Sequence, residues 1–224
     1  MSGQNATHMT PTVALMLKTP RLGHAKTRLA TAIGGAVAAE VYRHLAERQL
    51  AALPPGWRVA IHFTPASSEA EMMSWMRPLR PRLRFIAQCA GGMGERLTEA
   101  FATEFKLASG VVLVIGGDCP ALDRKILNAA ADALKAADAV LGPALDGGYY
   151  LIGLKEPRPE LFKGIDWSTP AVLDQTRAKM RAFNLRLAML PILEDVDDSE
   201  SLRRAVSTFP LLGELVAGKA RARV

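Results

Sequence analysis

Seven short apolar runs recur along the chain: TVALML (12–17), WRVAIHF (57–63), RLRFIA (82–87), VVLVIG (111–116), DAVLGP (138–143), YYLIGL (149–154) and LRLAML (185–190). Each has strand length and is bounded by glycine, proline or charged residues, so each predicts a β-strand. Alanine-rich segments at helical spacing lie between most of them, over 36–53, 94–108 and 124–137. Strands alternating with helices of this length predict an α/β fold whose sheet is mainly parallel and flanked by helices. Neither an internal repeat nor a low-complexity linker interrupts the pattern, so residues 1–224 read as one domain, with 1–10 and 219–224 as loose tails.

The polar positions between the runs mark where helices start. In WSTPAVLDQT (167–176), Thr169 suits the N-cap and Pro170 the first helical position. Asp123 suits the cap of a helix opening near Arg124, which leaves Asp118 free for other work. In open α/β sheets ligands collect beyond the carboxyl ends of the strands, so the residues that follow each strand are the ones that bear on function.

Charge changes the picture only slightly. The formal net charge is +6, but Lys219, Arg221 and Arg223 fall in the last six residues, and without them the excess is +3. Few aromatic residues and no basic helical stripe argue against a nucleic-acid binder. The excess positive charge suits a phosphate-bearing small ligand. Cys89 and Cys119 have no metal-type spacing and fit a reducing compartment rather than a disulfide framework. The first residues do not read as a signal peptide and no apolar run approaches bilayer length, so a cytoplasmic protein without membrane insertion is expected.

The segments after the strands carry the candidate chemistry. KTPRLGHAKTRLATAIG (18–34) offers Lys18, Arg21, Lys26 and Arg28 around Gly23, ahead of a helix expected to begin near Ala25. Such a loop binds phosphate, or else is a solvated basic turn. It is not a P-loop, because Pro20 and Ala25 stand where that motif needs glycine. QCAGGMGERL (88–97) places Gly91, Gly92 and Gly94 before a helix, allowing close backbone approach to a ligand. Asp118 follows Gly116–Gly117 at a strand end and suits a hard divalent cation such as Mg²⁺. Asp146 precedes Gly147, Gly148 and Tyr149, where the glycines would let an acceptor lie against backbone amides. Asp-Gly is equally a hairpin-turn signal.

LEDVDDSESL (193–202) concentrates Glu194, Asp195, Asp197 and Asp198. In extended backbone Asp195 and Asp197 share a side and could grip a cation. Asp197 and Glu200 also have the spacing of a capping box. Cys119 beside Asp118 reads as a buried thiol rather than a nucleophile, since no histidine pairs with it.

Taken in order, K-x-P-x-x-G-x-x-K-T-R-L from Lys18, G-x-x-G-E-R from Gly91, G-x-D-C-P from Gly116, G-P-x-x-D-G-G-Y-Y-L-I-G from Gly142, W-S-T from Trp167 and D-V-D from Asp195 span about four fifths of the chain. This succession resembles the bacterial GT-A-type glycosyltransferase candidates associated with radical-SAM and selenium-related domains. More distantly it is similar to molybdopterin guanylyltransferase and 2-phospholactate guanylyltransferase. The resemblance implies a Rossmann-like nucleotide-diphospho-sugar transferase fold and a Mg²⁺- or Mn²⁺-dependent transferase. Its donor would be a nucleotide sugar or a nucleoside triphosphate, its acceptor an unidentified small molecule, and a homodimer is compatible with it.

Carried over position by position, the resemblance puts Lys18, Gly23, Lys26, Arg28, Gly91, Gly94 and Arg96 on the nucleotide and its phosphates. It puts Asp118, Asp195 and Asp197 on the metal, with Asp118, Lys26 and Asp146 in catalysis and Gly147, Gly148 and Tyr149 on the acceptor. Two departures stand out: Gly92 replaces an acid of the usual G-D-L-G-E-R, and Asp198 stands where D-V-D is commonly followed by threonine. A non-catalytic nucleotide-binding protein is the reading from another class.

Overall fold

The computed structural model describes residues 10–221 apart from 24 and 109. The chain runs β1 (Thr12–Lys18), α1 (Thr27–Ile33), α2 (Gly35–Ala52), β2 (Arg58–Thr64), α3 (Glu69–Met76), β3 (Arg84–Ala87), α4 (Met93–Leu107) and β4 (Val112–Ile115). It continues through α5 (Arg124–Ala133), β5 (Ala139–Pro143), β6 (Tyr149–Leu154), α6 (Val172–Ala182), β7 (Leu187–Met189), α7 (Ser199–Thr208) and α8 (Pro210–Arg221). All seven expected strands are present. Most of the segments expected to be tails, 1–9 and 222–224, lie outside the described residues, while α8 carries helical backbone as far as Arg221.

The strands form one sheet in the order β3-β2-β1-β4-β6-β5-β7. β6 runs antiparallel to both its neighbours, and every other pairing is parallel. The sheet is therefore mixed and mainly parallel, as the pattern predicted. The central strands read as continuous apolar runs because both of their faces are covered. Val112 to Ile115 are all buried, as are Val13, Ala14 and Leu15 of β1.

Alternate residues of β1 serve opposite cores. Val13, Leu15 and Leu17 pack with Tyr42, Ala46 and Leu50 of α2, Met72 and Met76 of α3, and Leu127 and Ala130 of α5. Ala14 joins Leu97, Ala100 and Phe101 of α4 and Met180 of α6. A third cluster ties Leu29 of α1 and Val37, Val41 and Leu45 of α2 to Leu202 of α7 and Leu212 of α8. That cluster brings the C-terminal acidic segment back beside the loop that follows β1.

Helix starts follow the expectations unevenly. Asp123 caps α5, its carboxylate accepting from Ile126 N at 2.9 Å. α6 begins at Val172 rather than at Pro170, because the turn before it is pinned to the β5–β6 connection by the bond from Leu173 N to Gly147 O. α1 begins at Thr27, two residues later than expected, because Lys26 enters it in the left-handed conformation (φ 52°, ψ 47°). α7 is opened by Asp198 paired with Ser201, not by Asp197 with Glu200.

Candidate active site

β1 has β2 on one side and β4 on the other. The connections from these two strands therefore leave in opposite directions and open a crevice at their carboxyl ends, the place where such sheets take ligands. A cleft of ≈ 440 Å³ lies there. One wall is the β1–α1 segment with Lys18, Lys26 and Arg28; the floor is Gly116, Gly117 and Asp118 after β4. Gln88, Met93 and Arg96 line the side toward α4, and Ser168 and Asp197 close the far rim. Asp118 sits beyond its strand because β4 ends directly beneath this crevice. Gly117 allows it: a side chain there would begin 2.4 Å from Leu17 Cδ2.

Lys26 is the centre of the charge network. Its Nζ donates to Asp118 Oδ2 at 2.9 Å and also to Asp197 Oδ1. The Lys26 side chain is 4% exposed, against 30% for Asp118 and 34% for Asp197. Burial works against the buried charge, but the two carboxylates outweigh it and hold the ammonium above the ordinary lysine range. Arg28 Nη2 reaches Asp197 Oδ2 at 3.0 Å from an exposed position. Burial alone would raise Asp197, yet Lys26 and Arg28 hold it below the usual carboxylate range. Asp198, occupied as the cap of α7 by bonds from Glu200 N and Ser201 N, leaves the Asp197 carboxylate free for this pairing.

Asp195 stands behind this pair. Val196 N donates to Asp118 O at 3.0 Å, which fixes the acidic segment against the end of β4. Asp195 Oδ1 is buried with no hydrogen-bond partner. Burial, then the charge of Asp118, pushes its carboxyl up to about 8, with Lys26 opposing. Cys119, next to Asp118, is buried, and its thiol is pushed up by burial and then by Asp195 and Asp118; the reading as an inert core thiol holds.

The Asp195 shift makes a prediction for metal-free protein. The carboxyl titrates near 3.8 when unconstrained and near 8 when folded, so the folded chain holds the extra proton between those values. Stability contributed by the neutral form falls as pH rises through that window and levels off above it. In chelator, Asp195→Asn is expected to match the parent near about pH 4 and to exceed it by about 1–3 kcal/mol near about pH 9, the cost of an uncompensated buried group. Urea unfolding at the two pH values measures this; equal stability at the higher value would contradict it.

The donor chemistry suits a hard divalent ion: carboxylate oxygens from Asp118, Asp195 and Asp197, one of them an orphaned buried oxygen. The residues therefore fit such a metal in kind. They are not drawn together around one, since no group of three acidic, histidine or cysteine side chains among the described residues converges on a single point. The Lys26 ammonium stands between two of them.

Other expected site residues divide. Lys18 and Arg96 line the cleft. Arg96 Nε donates to Gly91 O at 3.1 Å and its Nη1 to Gln88 Oε1 at 3.3 Å, so the guanidinium is held by the glycine-rich turn. Gly23 and Gly91 adopt positive φ in the turns without lining the cleft, and Gly94 is a packing position against Phe162 O and Trp167 Nε1.

The residues expected on the acceptor lie apart from this cleft, at the β5–β6 turn and its junction with the loop before α6. Gly147 has φ 88° and a Cβ there would lie 2.3 Å from Pro170 O, so it exists to let the β5–β6 turn meet the loop before α6. Asp146 Oδ1 accepts from Gly148 N at 2.8 Å, the turn role that Asp-Gly signalled. Tyr149 sets its ring edge-on to Trp167 at 6.4 Å within the second core. None of these four is among the described residues lining the cleft.

Tyr42, Gln88 and Ser168 are among the lining residues that sequence reasoning did not name. Tyr42 Oη accepts from Lys18 N at 2.8 Å, and Gln88 Nε2 donates to His62 O at 2.6 Å. Both read from sequence as ordinary helix and loop residues. Ser168, in the left-handed region at φ 65°, could have been singled out only through the W-S-T succession.

The model of the family described as "Uncharacterized protein conserved in bacteria (DUF2064)" matches residues 46–169, more than half the chain, and the chain belongs to that family. A candidate nucleotide-diphospho-sugar transferase from Desulfovibrio desulfuricans G20 shares 33% identity, with a TM-score of 0.79 over 85% of this chain and 84% of that one. 4-Diphosphocytidyl-2C-methyl-D-erythritol synthase from Anaerococcus prevotii DSM 20548 has the same fold at 10% identity, with a TM-score of 0.62 over 90% of this chain and 96% of that one. The inositol-1-phosphate CTP transferase of T. maritima has it at 10% identity, TM-score 0.56, over 92% and 96%. A search of curated proteins finds no match. No described helix is long and apolar enough to cross a membrane.

Proposed function

We propose that this family member is a divalent-metal-dependent transferase that uses an activated nucleotide, with a nucleotide sugar as donor. The observation that carries the reading is the single cleft in which Lys18, Lys26, Arg28 and Arg96 face Asp118 and Asp197. Cations in that number suit a diphosphate, and the carboxylates suit the ion that accompanies it. The identity with the Desulfovibrio protein over most of both chains supports the nucleotide-sugar donor.

A divalent ion held by Asp118 and Asp197, with Asp195 behind them, would supply Lewis-acid withdrawal of charge from the diphosphate. Lys18, Lys26 and Arg28 line one side of the cleft and neutralise the charge that grows as the sugar–phosphate bond breaks and nucleoside diphosphate leaves. Fixed charges of this kind, in place before reaction, are commonly the largest catalytic contribution. Arg96, anchored by Gly91 and Gln88, holds the other end of the nucleotide.

Nucleotidyl transfer from a nucleoside triphosphate, with pyrophosphate leaving, is the second reading. It is favoured by the sharing of the whole fold with a diphosphocytidyl and a CTP transferase.

Calorimetric titration with GDP, UDP, CDP and ADP, each with and without Mn²⁺, tests the proposal. One preferred nucleotide whose binding requires metal is expected. Turnover assays on the matching nucleotide sugar and triphosphate then separate release of nucleoside diphosphate from release of pyrophosphate. Absence of metal-dependent binding by every diphosphate and triphosphate sinks both readings. Tight nucleotide binding without turnover or metal dependence identifies a non-catalytic binder instead.

A further inference from the structure

Lys26 is placed unlike an ordinary phosphate-binding lysine. Its ammonium is not extended into the cleft but drawn between Asp118 Oδ2, at 2.9 Å, and Asp197 Oδ1. It is the most buried member of the trio, at 4% exposure. The backbone supports the arrangement at a cost, since Lys26 has φ 52°, a left-handed conformation in which a non-glycine residue is strained. Strain held at a site implies a surrounding structure that enforces it.

Two carboxylates carry a charge of −2 and Lys26 only +1. A divalent ion would need oxygens of the same two carboxylates at about 2.1 Å, leaving no room for the ammonium between them. Two cations so close repel each other strongly in a partly buried site. Among the described residues no acidic trio converges at this point, and Lys26 Nζ stands between the two carboxylates nearest it. Arg28, exposed and already on Asp197 at 3.0 Å, can go on balancing that carboxylate when Lys26 moves.

We propose that Lys26 is an internal cation latch that occupies the divalent-metal position between Asp118 and Asp197 and withdraws from it when a nucleotide's phosphates take up its charge. This rests on the transferase reading and deepens it. The latch makes metal binding conditional on nucleotide: the free protein binds divalent ions weakly, and the two ligands bind cooperatively. A site that stays closed to metal until the donor arrives keeps the charges of Asp118 and Asp197 balanced by Lys26 and Arg28 in the interval.

The test uses Mn²⁺ alone, without nucleotide, so that its outcome does not depend on the donor. Mn²⁺ affinity is measured by electron paramagnetic resonance for the parent, Lys26→Met, Lys26→Arg and Lys26→Met combined with Asp118→Asn. Lys26→Met is expected to bind Mn²⁺ at least about tenfold more tightly than the parent, with the gain erased in the double variant. Lys26→Arg, which keeps the charge, shows no gain and guards against a general loosening of the fold; circular dichroism checks that each variant is folded. Equal affinity in the parent and a folded Lys26→Met overturns the latch. The calorimetric nucleotide titrations of the parent are read separately: their failure removes the transferase reading even if the lysine and metal compete.

Discussion

Replacing Asp118 by alanine is expected to eliminate metal-dependent nucleotide binding and to lower turnover by at least about 100-fold, the range for losing one preorganised electrostatic group. The substitution removes a carboxylate oxygen that Lys26 donates to at 2.9 Å and the one acidic side chain that the central strand delivers to the floor of the cleft. It leaves in place the carbonyl that accepts from Val196 N at 3.0 Å, so the acidic segment stays docked against β4. Loss of function should therefore come without loss of fold. Thermal unfolding of Asp118→Ala together with calorimetry and single-turnover rates measures both halves. A folded variant that keeps more than about a tenth of the turnover would remove Asp118 from the mechanism. Asp118→Asn, which retains size and one oxygen, is expected to recover folding fully and turnover hardly at all, because the amide lacks the charge that balances Lys26 and would attract a cation.

The sheet was legible because its signal is local. Each strand is a short apolar run, and a strand buried on both faces needs nothing more, as Val112 to Ile115 illustrate. Asp123 was legible as a cap for the same reason: it touches only its own helix. The site was not local. Lys26 meets Asp118 across 92 residues and Asp197 across 171, and no periodicity encodes such a meeting. Only the succession of motifs grouped them, and it grouped with them residues that lie outside the cleft. Gly147 lets the β5–β6 turn approach Pro170, Gly94 lets α4 approach Phe162 and Trp167, and Tyr149 packs edge-on to Trp167. Two offsets had specific causes. α7 is capped by Asp198 rather than Asp197, which releases Asp197 for Lys26, and the left-handed Lys26 delays α1, which aims the ammonium at Asp118. Sequence patterns favour the neighbour with ideal spacing, and tertiary contacts chose the other one.

One buried network lies apart from the cleft and governs stability instead. Within α4, Leu97, Ala100, Phe101 and Glu104 fall on one buried face, so a carboxylate occupies the fourth position of an apolar stripe. Glu104 is fully buried. His62 Nε2 on β2 lies 2.9 Å from its Oε1, and Arg84 of β3 donates to its Oε2. Neither the buried position of Glu104 nor its partners, 42 and 20 residues away, were singled out from the sequence. Replacing Glu104 by alanine removes the acceptor and leaves His62 buried and the Arg84 guanidinium half-buried without a counter-charge. A loss of about 3–5 kcal/mol is expected, the usual consequence of breaking a buried pair from one side. Glu104→Gln should cost less, because the amide oxygen still accepts one bond.

The pH dependence has a definite sign. Burial favours the neutral acid, but the bonds from His62 and Arg84 outweigh it and hold Glu104 below its ordinary 4.5. The parent therefore draws full benefit from the network above about pH 4.5 and loses it as pH falls through the depressed value. Glu104→Gln lacks that ionisation, so the gap between it and the parent should narrow progressively below about pH 4.5. Urea midpoints from about pH 3 to about pH 7 for the parent and both variants would show it. A loss under about 1 kcal/mol in Glu104→Ala, or a gap to Glu104→Gln that stays constant with pH, would mean that Arg84 and His62 find other partners and that the network is not what joins α4 to the β2–β3 edge of the sheet.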